Sequence, residues 1–141
     1  MKSSYKLFSI RGIDVKIHFT LLILFLLPVM QVAENGIMRA IFSFSILSIL
    51  FSSVLAHELS HSFVARRSGI RVKEITLWIF GGMASIPSFG DAKRELKISI
   101  AGPLMSLLIG VVISILLIVS LGFEGLVSQI SIDFLSEPSL L

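Results

Sequence analysis

Three long apolar runs, parted by short polar segments, set the pattern of this chain. The first, residues 17–33, is just long enough to cross a hydrocarbon core. The second, residues 37–65, is broken only by Arg39 near its start and by His57, Glu58 and His61 near its end. As a helix it would be about 40 Å long, enough to cross with some tilt. Arg66, Arg67 and Gly69 then close it. The third run covers residues 98–121. Asp91 and Glu95 before it suit a helix start, and Gly122 suits its stop. The pattern therefore predicts an α-helical membrane protein with three transmembrane helices, at about 17–33, 37–65 and 98–121.

Between the second and third runs the periodicity changes. Val72, Ile75, Thr76, Leu77, Trp78, Ile79 and Phe80 favour strands, and Gly81-Gly82 reads as a turn before Met83 to Ile86. This predicts a small β-hairpin. The competing reading is an interfacial loop anchored by Trp78 and Phe80. Residues 4–16 hold short mixed segments around Gly12, read as a further small hairpin at the membrane surface.

Composition agrees with the spans. With 55% hydrophobic residues in 141, the chain is too apolar for an ordinary soluble domain. The net charge of +3 is unevenly placed. Lys2, Lys6, Arg11 and Lys16 precede the first run, and seven Lys and Arg fall between Arg66 and Lys97. Such asymmetry reads as membrane topology, not nucleic-acid binding. It predicts a protein of the cell membrane with a cytoplasmic N-terminus, an external turn at 34–39, a cytoplasmic segment at 66–97 and an external tail. A cleaved signal peptide fits poorly, because Pro28 interrupts the first run and no small-residue cleavage pattern precedes Glu34. Cysteine is absent, so any zinc must be held by His and carboxylate.

The candidate chemistry is His57-Glu58-Leu59-Ser60-His61. Histidines four apart lie about 40° apart around a helix, so both can reach one metal. Glu58 points elsewhere, which suits a general base. His61 lies five residues before Arg66, placing the motif roughly 7–14 Å inside the bilayer by helix rise. Ionisable groups at that depth are costly and point to function. A catalytic Zn2+ needs three protein ligands and an open position for water, whose pKa it lowers towards ~7. The expected roles are His57 and His61 as zinc ligands, and Glu58 as the base that takes the water proton and passes it to the leaving amine. In the competing reading the histidines hydrogen-bond to neighbouring helices or to Ser53 or Ser60, which leaves Glu58 unexplained. His18, at the start of the first run, is assigned no role.

A third ligand is harder to find. The remaining carboxylates are Asp14, Glu34, Glu74, Asp91, Glu95, Glu124, Asp133 and Glu137, and none lies on a span. Asp133 would serve only if the tail folded back into the bundle.

Small residues form two further stripes. Ser48, Ser52, Ala56 and Ser60 recur every four residues on the second span, and Gly102, Ser106, Gly110 and Ser114 on the third. Such stripes let transmembrane helices approach closely. They predict that the two spans pack together, with the third forming a wall of the metal site. Pro103 removes a helix hydrogen bond and should bend the third span near that depth.

With these motifs in hand, the chain resembles the N-terminal, catalytic-core portion of the site-2 protease family of intramembrane zinc metalloproteases. The resemblance is carried by Gly12-Ile13-Asp14-Val15-Lys16-Ile17-His18, the His57 to His61 motif, Ser62-Phe63-Val64-Ala65-Arg66-Arg67, Gly81-Gly82-Met83-Ala84, and Ala101-Gly102-Pro103-Leu104-Met105-Ser106. It implies a three-helix catalytic core and cleavage of substrate transmembrane segments near the cytoplasmic face, commonly releasing a regulatory domain. The implied partners are transmembrane protein substrates and the lipid bilayer. In that family the third ligand is an aspartate in an Asp-Gly pair on the next span, usually after an Asn-Pro element. This sequence has neither, and Asp133 is followed by Phe134, so that role is not carried over. Residues 1–141 are thus expected to form one membrane-embedded metalloprotease-like domain lacking the family's later spans. The expected activity is that of an intramembrane zinc metalloendopeptidase. The alternative is a truncated or non-catalytic member acting as a membrane scaffold or transmembrane-segment binder.

Overall fold

Period-two alternation in two distant stretches of the chain folds into one sheet. The structure, a computed structural model, describes residues 4–84 and 90–122. Its elements are β1 (Ser4–Ile10), β2 (Ile13–His18), α1 (Phe19–Arg67), β3 (Glu74–Trp78), β4 (Gly81–Ala84) and α2 (Ala92–Leu121). The four strands lie in the order β1-β2-β3-β4, with β2 and β3 parallel and the two outer pairs antiparallel. All of α1 forms the crossover between the parallel strands. Ile13 and Val15 of β2, and Ile75 and Leu77 of β3, are buried. Ile13, Ile75 and Leu77 join Ala65, Ile70 and Val72 in the core where α1 ends. Polar residues alternate with them, and Lys16 pairs with Glu74 across the two strands.

The expected hairpin around Gly12 is present. Arg11 and Gly12 both have positive φ, 49° and 79°, as a two-residue turn between antiparallel strands needs. The second hairpin differs from the sequence reading. Trp78 pairs with Gly81, so the turn is Ile79-Phe80 and both glycines belong to β4. Gly82 is a glycine for space rather than for a turn: a β-carbon there would run into the Glu58 side chain. Ser85 and Ile86, expected to extend this hairpin, lie outside the described residues, as does Asp133.

The helix of the first run begins two residues later than its sequence predicts. Ile17 and His18 belong to β2, and His18 Nδ1 caps α1 by accepting from the Thr20 amide at 3.4 Å. Among the described residues the apolar stretch that follows is Phe19–Met30. Gly36 (φ 78°, ψ 163°) breaks α1 into two limbs. The limbs meet through Phe25, whose ring lies 5.4 Å from that of Phe44 and 6.0 Å from that of Phe51. Two helices among the described residues are long and apolar enough to cross a membrane: Gly36–Arg67, of 32 residues, and Ala92–Ser120, of 29. Their outward side chains, such as Phe42, Leu50 and Leu104, are apolar and exposed, as lipid-facing surfaces are.

The helix ends predicted at Gly69 and at Asp91 are present. Gly69, with φ 87°, sends its amide to Arg66, while the Ile70 amide returns to Ala65 at 3.0 Å. This reversed pair satisfies the last carbonyls of α1 and buries Ile70 against the core. Asp91 begins α2, its carboxylate accepting from the Lys93 amide at 3.0 Å.

The chain divides into two compact units, residues 1–106 and 107–141. The first contains the sheet, α1 and α2 as far as Ser106. In the second, α2 continues to Leu121, and the Ser114 hydroxyl bonds back to the Gly110 carbonyl at 2.8 Å. On α1 the Ser48 hydroxyl does the same to Phe44.

Candidate metal centre

His57, Glu58 and His61 sit on the second limb of α1, less than three turns before its capped end. The helical spacing brings the two imidazoles together, with ring centroids 4.8 Å apart and planes at 76°. Their Nε2 atoms are 3.1 Å apart. Both rings are held from behind by α2. His61 Nδ1 donates to the Ile98 carbonyl at 2.6 Å, and His57 Nδ1 lies 2.8 Å from Ser106 Oγ. A carbonyl can only accept, so His61 Nδ1 carries a proton, and in the neutral ring its Nε2 then presents a lone pair. Ser106 can play the same part for His57.

The third helix is therefore a wall of the site, as expected, and Gly102 shows why it can come so close. A β-carbon on Gly102 would lie 2.5 Å from His57 Nε2 and collide with His61 Nε2. Of the small stripe on α2, Gly102 provides clearance and Ser106 a hydrogen-bonding hydroxyl. The competing reading places the histidine partners on neighbouring helices or at Ser53 or Ser60. The partners are Ser106 and the Ile98 backbone of the neighbouring helix α2, and which residues they are only a nonlocal contact reveals.

Glu58 points away from the imidazole pair, towards β4. Its Cγ and Cδ lie against the Gly82 backbone, where a side chain would displace them. The sheet thus reaches the motif through its edge strand.

A metal held by imidazoles fits this arrangement. Two nitrogen ligands about 2.0–2.1 Å from a tetrahedral zinc are roughly 3.4 Å apart, close to the observed separation. Both Nδ1 atoms have polar partners, the usual outer support of metal-bound histidine. The Gly102 clearance leaves room beside both Nε2 atoms. Among the described residues, no group of three His, Cys, Asp or Glu side chains converges on one point.

The chain is similar to known proteins in both sequence and fold. The profile of peptidase family M50 matches residues 45–137. Zinc metalloprotease MJ0392 of Methanocaldococcus jannaschii is 42% identical over 126 residues, covering 88% of this chain and 34% of its own length. The Synechocystis sp. protein sll0528 is 48% identical over 62 residues, covering 43% of this chain and 16% of its own. The solved site-2 protease from Methanocaldococcus jannaschii has the same fold, with a TM-score of 0.69 at 38% identity, over 85% of this chain and 52% of that one. The chain thus spans about a third of the first relative's length.

Proposed function

The chain belongs to peptidase family M50, and on that premise we propose that it supplies two metal ligands and the general base of a membrane zinc endopeptidase. The observation that carries the reading is the convergence of His57 and His61 Nε2 beside a glycine, with both Nδ1 atoms held by α2.

In this reading His57 and His61 hold zinc through Nε2, while Ser106 and the Ile98 carbonyl fix the two rings. Zinc, when bound, lowers the pKa of a coordinated water and polarises a peptide carbonyl. Glu58 takes a proton on its carboxylate from the attacking water and delivers it to the leaving amine. The Gly82 backbone against Glu58 limits where that carboxylate can swing. β4 is at the edge of the sheet, so an extended substrate segment adding to it would run beside Glu58.

The basic residues favour an orientation with the Arg66–Arg67 end of α1 at the cytoplasmic face of the cell membrane. The site then lies roughly 7–14 Å below that face by helix rise, with the first limb of α1 as a third span. Substrates are accordingly the transmembrane segments of other membrane proteins, unwound near that face.

The test is zinc content and cleavage of a transmembrane substrate, with Glu58→Gln beside the wild type. The variant should keep its zinc and lose about 10²–10⁴-fold in rate. Undiminished cleavage by the variant would remove Glu58 from the mechanism. A second reading, a non-catalytic binder of transmembrane segments, draws on the two-histidine donor set among the described residues. A zinc-free, inactive chain that still binds the substrate segment would favour it.

A further inference from the structure

The cytoplasmic end of α1 carries positive charge that the candidate metal centre does not use. A cleft of about 350 Å³ there is lined by Arg11, Ser60, Phe63, Val64, Arg66 and Arg67. The Arg11 guanidinium lies 5.7 Å from the centre of the Phe63 ring, within cation–π reach. Arg66 donates to the Arg11 carbonyl, which ties the β1–β2 turn to the helix end. Arg66 also lines a second cleft, of about 420 Å³, with Arg71 and Lys73. Asp14 lines that second cleft, but its carboxylate already accepts from Lys6 at 2.7 Å and from Ser9 at 2.5 Å. Among the described residues, no carboxylate pairs with these five cations.

The apolar wall indicates what the charge is for. Ser60, Phe63, Val64 and Arg67 follow an i, i+3, i+4, i+7 spacing, which makes them one face of the helix. Over about 10 Å of rise that face changes from polar-small and apolar to guanidinium. A phospholipid has the same order of chemistry along the same axis, acyl chain and then phosphate. Arginine forks suit phosphate oxygens, and basic pockets on the cytoplasmic side of spans suit anionic headgroups. We propose that this cleft binds an anionic phospholipid of the surrounding bilayer, with its phosphate between Arg11, Arg66 and Arg67 and an acyl chain along Phe63 and Val64. An acidic peptide would match the charge but not the apolar wall that descends into the bilayer. The proposal rests on α1 crossing the membrane and does not depend on the metal site.

The test is native mass spectrometry of the full chain in detergent, titrated with phosphatidylglycerol and with phosphatidylcholine of matched acyl chains. Phosphatidylglycerol should bind about tenfold tighter or better at low salt. Each surface cation removed should cost about fivefold, so Arg11→Gln with Arg67→Gln should lose roughly 25-fold. Arg67→Gln alone, which touches no turn contact, should lose about fivefold if the double variant fails to fold. Lys93→Gln with Lys97→Gln, outside the cleft, should keep the wild-type preference, as should His57→Ala. Equal affinity for the two lipids, or an equal loss in the Lys93 and Lys97 variant, would overturn the proposal. Displacement of the lipid by millimolar inorganic phosphate would overturn it in favour of a free-anion site. Stronger competition by an acidic peptide would assign the cleft to a protein segment instead.

Discussion

Gly102 of α2 lies so close to His61 of α1 that any β-carbon there would collide with the imidazole Nε2. The contact sets the room left beside both histidines. Gly102→Ala should therefore remove bound zinc while leaving helix content intact, because alanine favours a helix interior by about 0.5–1 kcal/mol over glycine. Elemental analysis beside circular dichroism checks this. Full zinc occupancy in the variant would mean that the metal sits elsewhere.

Ser106 is expected to act through His57, whose Nδ1 lies 2.8 Å from its hydroxyl. Ser106→Ala should weaken zinc binding by about 10–100-fold, the usual effect of losing an outer partner of a metal ligand. Ser106→Thr keeps the hydroxyl and should recover much of the affinity. Zinc dissociation constants from chelator competition would separate these variants. Equal weakening by Ala and Thr would point to packing alone.

Gly82 should affect catalysis without affecting the metal. A methyl group at 82 displaces the Glu58 stem, and the three atoms nearest to it all belong to Glu58. Gly82→Ala should keep zinc and lose about 10²-fold in cleavage, the scale on which a misplaced catalytic group is felt. Loss of zinc together with cleavage would show that β4 supports the histidines instead.

Asp14 should make the N-terminal hairpin sensitive to acid. Its carboxyl lies below its ordinary value near 3.8, chiefly through the Lys6 hydrogen bond and then the Ser9 hydroxyl. A carboxylate with a depressed folded pKa contributes stability above its unfolded value and loses it as pH falls through the folded value. Wild type should thus be more stable than Asp14→Asn near neutral pH, and the difference should shrink below about pH 4. Thermal unfolding of both forms across that range measures it. A gap that widened on acidification would contradict the assignment.

What could be read from the sequence was local. The His57, Glu58 and His61 face follows from helical spacing alone, and Gly69 and Asp91 mark helix ends by their own backbone chemistry. The hairpin turn at Gly12 is local too, since only its two central residues must take positive φ. Gly81-Gly82 misled because glycine marks a turn and a close approach equally well. Here Gly82 is needed for Glu58, 24 positions away in sequence, while Ile79-Phe80 makes the turn, with the Trp78 and Phe80 rings 5.2 Å apart. Parallel pairing of β2 with β3 joins segments separated by the whole of α1, and no short-range pattern encodes it. Of the stripe on α2, Gly102 and Ser106 form the wall, and their division of labour was not legible. That Gly102 clears the imidazoles and Ser106 hydrogen-bonds one of them depends on the helix it faces.

The central claim is that His57 and His61 hold one zinc ion between them. X-ray absorption at the zinc edge, on the full chain purified in detergent, tests it most directly. The expected result is bound zinc with two imidazole nitrogens at about 2.0–2.1 Å, lost in His57→Ala and in His61→Ala. An unchanged zinc spectrum when both histidines are replaced by alanine would contradict it.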